Sequence, residues 1–173
     1  MADEIDLSMA ELREIAAFAA RSAEDVLGLF AAERPDDGRP RDAVVAAWEF
    51  ARGGRRGQTL RDTAWGALRA AKETGGAAGD AALAAMAAAG SAYLHPLAKS
   101  TQVKHILGSA AHAARAAELA AGGDRAAGDA RIGEAAGRAT PVVIAVLRRF
   151  PAAPSGGGRV GELIRLLDKT LRQ

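Results

Sequence analysis

The chain has 173 residues, a formal net charge of +2 and no cysteine, which allows one domain with a real core and excludes disulfides and thiolate metal sites. No charge-free apolar run reaches the roughly 18 residues of a membrane span, which argues against a transmembrane helix. The acidic start (MADEID, residues 1–6) lacks the basic and apolar regions of a signal peptide, so a cytoplasmic protein is expected.

Alanine fills 45 positions; as the strongest helix former it biases nearly the whole chain towards helix and lets helices approach closely. Ser8-Met9-Ala10-Glu11 fits a capping box, and Leu12, Ile15, Ala16, Ala19, Ala23, Val26, Leu27 and Phe30 follow at helical spacing. One long helix is therefore expected to about residue 33, stopped by Pro35. A dense charged corner follows, in which Asp36 and Asp37 can accept amide hydrogen bonds at the next helix start. Pro40 suits the first turn and Asp42 sits near the positive end of the helix dipole. Ala43, Val44, Ala47, Trp48 and Ala51 form the apolar stripe of this second helix, and Gly53-Gly54 close it.

A basic turn over residues 55–58 leads to a third helix, capped by Thr59, with Leu60, Ala64, Ala67, Leu68 and Ala71 inward. Gly75-Gly76 end it, and Asp80 can cap a fourth helix carrying Leu83, Met86, Ala87 and Gly90. His95-Pro96 breaks the pattern, and a fifth helix over about 101–121 carries Val103, Ile106, Leu107, Ala110, Ala114 and Ala117 up to Gly122-Gly123. A sixth spans about 124–139, and Thr140-Pro141 start a short seventh bearing Val142, Val143, Val146, Leu147 and Phe150. Residues 151–158 (PAAPSGGG) form the only linker-like segment. The last helix places Val160, Leu163, Ile164, Leu167 and Leu171 on one face, to dock in cis or on a neighbouring chain. The expected fold is a single all-α domain of six to eight helices in irregular or orthogonal packing: a bundle over 1–150, the linker, and a docking helix over 159–173.

Motifs for chemistry are sparse. Gly156-Gly157-Gly158-Arg159-Val160-Gly161 matches G-x-G-x-x-G, but no preceding strand or βαβ unit surrounds it, and no Walker A sequence is present. His105 and His112 are seven apart, on one helix face, without the i,i+4 spacing and nearby carboxylate of a metal site. Glu24-Asp25 and Asp36-Asp37 are adjacent in sequence, and adjacent helical residues do not face each other. No catalytic residue, metal or cofactor is expected. A polar pocket holding both His105 and His112 would favour a small-ligand protein or an enzyme instead.

The charge is bipolar. Residues 1–50 carry 12 acidic and 5 basic side chains, a net of −7, whereas residues 51–173 carry 9 and 18, a net of +9. Such a chain can bind itself, another protein or a polyanion, or pair its charges internally. Arg52, Arg55 and Arg56 among Gly53, Gly54 and Gly57 make a loop that can contact phosphate, though without interleaved aromatics for base stacking.

The charged corner and the fifth helix also carry a resemblance. DDGRPRDAVVAAWEFARG resembles the Asp-x-Arg-Pro-Arg-x-Ala helix start of the immunity proteins assigned to bacterial polymorphic toxin systems. KSTQVKHILGSAAHAARAAE resembles that family's His-Ala-x-Gly-x-Ala helix, here with His105, Gly108 and Ala110, while Gln102 stands where a second histidine is expected and His112 where an aromatic is. LREIAAFAARSAEDVLGLFAAERP fits the family's opening, so the resemblance covers roughly residues 10–120. It implies an Ala-rich helical domain that neutralises a toxin by stoichiometric binding, without chemistry. On that reading Asp36, Asp37, Arg39, Arg41 and Asp42 supply polar contacts, Trp48 an anchor and His105 a recognition group. The alternative is a nucleic-acid binder using Arg52, Arg55 and Arg56, distinguishable by its steeper salt dependence.

Overall fold

In the computed structural model, which describes residues 2–173, helix begins at the capping box. The Glu11 amide donates to Ser8 Oγ at 3.2 Å and the Ser8 amide to Glu11 Oε2 at 2.9 Å. Nine α-helices follow: α1 (Met9–Glu24), α2 (Leu27–Glu33), α3 (Arg39–Ala51), α4 (Gln58–Thr74), α5 (Gly76–Gly90), α6 (Val103–Ala120), α7 (Arg125–Arg138), α8 (Pro141–Leu147) and α9 (Gly158–Arg172). Two short 3₁₀ turns, Ser91–Tyr93 and Ser100–Gln102, join α5 to α6. No strand occurs among the described residues; an isolated bridge pairs Glu4 with Leu97, and Ile5 N–H donates to the Pro96 carbonyl at 2.8 Å.

α5 is the axis of the packing. It lies against α1, α2, α3, α4 and α6, and every one of its buried residues is Ala or Gly. A helix surrounded on most sides has no room for large side chains, so close approach of backbones replaces interdigitation of long ones. Ser109 of α6 ties three helices at this centre: its hydroxyl reaches the Ala19 carbonyl of α1 at 2.7 Å and the Ala84 carbonyl of α5 at 2.9 Å. Buried with both acceptors present, this hydroxyl avoids the desolvation penalty of an unpaired polar group. The larger core side chains, among them Ile15, Phe30, Phe50, Ile106 and Leu107, fill the outer layers around that axis.

α9 packs on α6, α7 and α8 through Leu163, Leu167 and Leu171. Its anchor is a buried ion pair: Glu118 of α6, 1% exposed, accepts from Arg159 Nη2 at 2.8 Å and from Arg115 Nη1 at 2.6 Å. The Arg159 guanidinium in first place, then Arg115, holds the Glu118 carboxyl below its usual value against the opposing effect of burial. Gly128 makes room for it, since a Cβ there would lie 2.3 Å from Glu118 Oε2. Asp168, also buried, accepts from the Ala153 amide at 3.0 Å and from Arg172 Nε at 2.7 Å, so residues 151–158 are fastened to the helix that follows them. Arg165 adds bonds to the Pro154 and Gly156 carbonyls.

The all-helical single domain agrees with the sequence reading, and several boundaries correct it. The expected first helix is two: Val26, with φ −115° and ψ 0°, interrupts it, and Asp25 turns to face Arg138 and Arg131 of α7. Thr59 does not cap α4; Gly57 occupies that position, and Thr59 accepts at its carbonyl from Thr63 Oγ1. Asp80 does not cap α5, because Gly75 and Gly76, at φ +70° and +60°, reverse the chain so tightly that the N-cap falls five residues earlier, at Gly75. Asp36 caps nothing among the described residues, and Asp37 takes the Arg39 amide at 3.1 Å while Gly38 holds the N-cap position. Asp124 and Thr140 do cap α7 and α8 as their positions suggest.

Candidate protein-docking surface

The charged corner is largely occupied with itself. Arg39 Nη2 lies 2.7 Å from Asp37 Oδ2 and 2.6 Å from Glu73 Oε2, joining the start of α3 to the end of α4. The Arg39 guanidinium, as hydrogen-bond donor, pushes the carboxyls of Asp37 and Glu73 below their usual values. The stem of Arg39 rests on Gly66 of α4, and Pro40 is buried. Asp36, Arg41 and Asp42 stay exposed with no ion pair among the described residues. Trp48 is half-buried: its Nε1 donates to Glu24 Oε2 at 3.2 Å, and the Arg52 guanidinium stacks over its ring at 5.1 Å.

The basic loop is partly occupied too. Arg56 lies over Tyr93 at 5.8 Å and donates to the Ala92 carbonyl, while Arg61 covers the same ring at 4.7 Å. The Tyr93 hydroxyl donates to the Gly57 carbonyl at 2.8 Å, which pins this loop to the 3₁₀ turn after α5. Of the three loop arginines, Arg55 alone has no polar or ring partner among the described residues.

An apolar concavity lies elsewhere, where α4, α5 and α6 meet. It is a groove of about 410 Å³. α4 supplies Ala64, Trp65 and Leu68, α5 Met86, Ala87 and Gly90, α6 Lys104, His105, Gly108 and His112, and α9 the side chain of Ile164. Its lining is mainly apolar, and Trp65 at the edge is 61% exposed. Gly90 and Gly108 sit in ordinary helix; a Cβ on Gly108 would meet only Ala87 Cβ, at 3.8 Å, and one on Gly90 nothing within 4 Å. The absent side chains give the groove its depth.

Two histidines reach this groove in different states. His112 Nδ1 lies 3.2 Å from Asp80 Oδ1. Burial foremost, then the charges of Lys104 and His95, pushes the His105 imidazole below its usual value, so the ring is neutral at neutral pH. No group of three or more His, Cys, Asp or Glu among the described residues is placed to hold a metal. No helix among them is long and apolar enough to cross a membrane. A concave apolar surface bordered by an exposed Trp is suited to receiving an apolar group of a partner.

Of the residues expected to bind a partner, only His105 lines this groove; Asp36, Asp37, Arg39, Arg41, Asp42 and Trp48 lie outside it. Trp65, Leu68 and Met86 were not singled out by the sequence as site residues. Leu68 and Met86 obey helical periodicity like any core position, and the one available signal was Trp65 between Arg61, Asp62 and Arg69 on a polar stripe of α4.

Among curated proteins and among solved structures, none matches the chain. A protein family does: the family described as "Imm-5 like putative immunity protein" matches residues 6–136, most of the chain from just before α1 almost to the end of α7. With that match and its Ala-rich helical architecture, the chain belongs to the "Imm-5 like putative immunity protein" family.

Proposed function

We propose that the protein is a non-enzymatic binding module that neutralises a toxin by stoichiometric association, with the groove of α4, α5 and α6 at the centre of its interface. The observation that carries this reading is the open apolar groove with Trp65 standing 61% exposed at its edge. Large aromatic side chains in the open lose apolar contact with nothing in return, and Trp and Arg are the side chains most enriched at the energetic centres of interfaces. Family membership supports a protein partner. The neutral His105 and the Asp80-bound His112 act on this reading as recognition groups, with no proton transfer.

The test is co-expression with a toxin domain encoded beside this gene. The expected outcome is restored growth and a complex of one to one stoichiometry that survives a high-salt wash, with Trp65→Ala losing at least about tenfold in affinity. A toxin that remains active with the protein in excess would sink the reading. The alternative, a nucleic-acid binder built on Arg52, Arg55 and Arg56, requires two of those side chains to leave the Trp48 and Tyr93 rings. Recovery of nucleic acid alone, lost at high salt, would favour it.

A further inference from the structure

We infer that the surface received by the groove is acidic: a protein face that presents carboxylates around an apolar anchor side chain. The inference rests on the protein-binding reading above and adds the chemistry of the partner.

Cations stand beside the groove. Helical spacing puts Arg69 one turn beyond Trp65 and Lys72 one turn beyond Leu68, while Arg61, one turn before Trp65, lies over the Tyr93 ring. Lys104 of α6 lines the groove itself. Arg69, Lys72 and Lys104 have no carboxylate partner among the described residues. Of the nearest carboxylates along the chain, Glu73 holds Arg39 and Asp80 faces His112, while Asp62 has the neutral Gln58 side-chain amide as its partner at 2.8 Å.

Several other arginines, Arg39, Arg115, Arg138, Arg149, Arg159 and Arg172, lie in ion pairs. Among the described residues, unpaired cations stand on other faces too, Arg41 and Arg55 among them, but those beside Trp65 and Leu68 adjoin the apolar groove. A concave apolar wall lowers the local dielectric and strengthens the field of the charges around it.

An apolar cleft alone would accept any apolar group, and a basic surface alone any anion. Together they select a partner that satisfies both demands: an aliphatic or aromatic side chain for the space between Leu68, Met86 and Ile164, and carboxylates for Lys104 in the lining and for Arg69 and Lys72 beside it. Nucleic acid meets the second demand but brings no apolar side chain to the first. Ile164 belongs to α9, beyond the residues shared with the family, so this chain's own C-terminal helix shapes one wall of the cleft.

The experiment uses the full chain, ¹⁵N-labelled, whose two Trp indole N–H signals separate Trp65 from Trp48 once Trp48→Phe assigns them. The probes are a Glu/Leu amphipathic peptide, its Lys/Leu counterpart and dodecanoate. The acidic peptide is expected to shift the Trp65 signal saturably and leave Trp48 in place. Its affinity should fall about tenfold between roughly 30 mM and 300 mM salt, and similarly on replacing Arg69 and Lys72 by Glu. Arg69→Gln with Lys72→Gln serves as the milder pair if charge reversal disturbs the fold.

Equal binding of both peptides, preference for the Lys peptide, or silence at Trp65 would overturn the inference. So would a response to dodecanoate without one to the acidic peptide, which would make the groove a small-amphiphile site. A toxin neutralised through the Trp48 face would overturn it too, while leaving the protein-binding reading intact. An acidic peptide seated at Trp65 with no toxin neutralised would leave the partner chemistry standing and remove the immunity reading.

Discussion

Two tryptophans show how little residue type says about role. Trp48 is bonded to Glu24 and covered by Arg52, whereas Trp65 is 61% exposed and makes no hydrogen bond among the described residues. Truncating an exposed aromatic leaves no cavity, so Trp65→Ala should cost less than about 1 kcal/mol in urea denaturation while weakening partner binding by at least about tenfold. A loss of several kcal/mol would show Trp65 to be a packing residue and remove the main argument for the groove. Gly108 makes the complementary case. Its backbone is helical, and the added methyl of Gly108→Ala meets Ala87 at an ordinary contact distance. That substitution should raise stability by about 0.5–1 kcal/mol through lower unfolded-state entropy, yet make the groove shallower and weaken binding. Stability and affinity moving in the same direction would mean that the glycine serves the fold and not the groove.

At the scale of elements, α5 explains most of the architecture and much of what the sequence concealed. Some helix starts and stops were readable because caps are chemical signals: Ser8 with Glu11, Thr140-Pro141 and Gly122-Gly123 act where they stand, whereas Thr59, Asp80 and Asp36 cap no helix among the described residues. Helix faces were not readable in the same way. In α5 the large apolar residues Leu83 and Met86, with Ala87 and Gly90, looked like the inward stripe, but they are only half-buried, and three of them line the groove. The inward positions are Ala78, Ala81, Ala82, Ala85, Ala88 and Ala89, because five neighbouring helices crowd that side. In α5 the larger apolar side chains therefore mark the groove side and not the core side. Ala64 and Leu68 of α4 repeat the pattern. A direct consequence is that Ala85→Leu, a change that increases apolar content, should destabilise by about 1–3 kcal/mol or more, read as a lower urea midpoint. Leu83→Ala should cost less than an equivalent change at a fully buried leucine such as Leu107. If Ala85→Leu proved neutral, the axis of the bundle would be looser than the contacts of α5 imply.

For the whole molecule, ion pairs tie distant segments of the fold together. The acidic N-terminal half and basic C-terminal half are stitched by long-range pairs: Arg149 of the segment after α8 to Glu11 of α1, and Arg138 of α7 to Asp25. Part of the bipolar pattern is therefore internal pairing, which the sequence could suggest but not apportion, because partners more than a hundred residues apart are set by packing alone. The same pairs dictate the response to acid. The hydrogen bond from Arg149, foremost, holds the Glu11 carboxyl down at about 2. Arg159 and Arg39 hold Glu118, Asp37 and Glu73 below their usual values as well. Protons then bind the unfolded chain more readily than the folded one, so these groups stabilise fully above an unfolded carboxylate value of about 4.3. Their contribution disappears as pH falls through the folded values. His105, also lowered, adds an earlier decline as pH drops below about 6.5, where the unfolded imidazole takes up its proton first. Glu11→Gln isolates one step of this sequence, since Gln preserves the capping box but carries no charge. The Glu11–Arg149 pair is partly solvated, at 22% and 35% exposure, so the variant should be less stable by about 1 kcal/mol at pH 7. The difference should shrink below pH about 4.5 and be mostly lost by about pH 2, where wild-type Glu11 in the fold is half protonated. Curves that ran parallel over this whole range would show that the link between α1 and the segment after α8 depends on shape, with the ion pair contributing nothing to it.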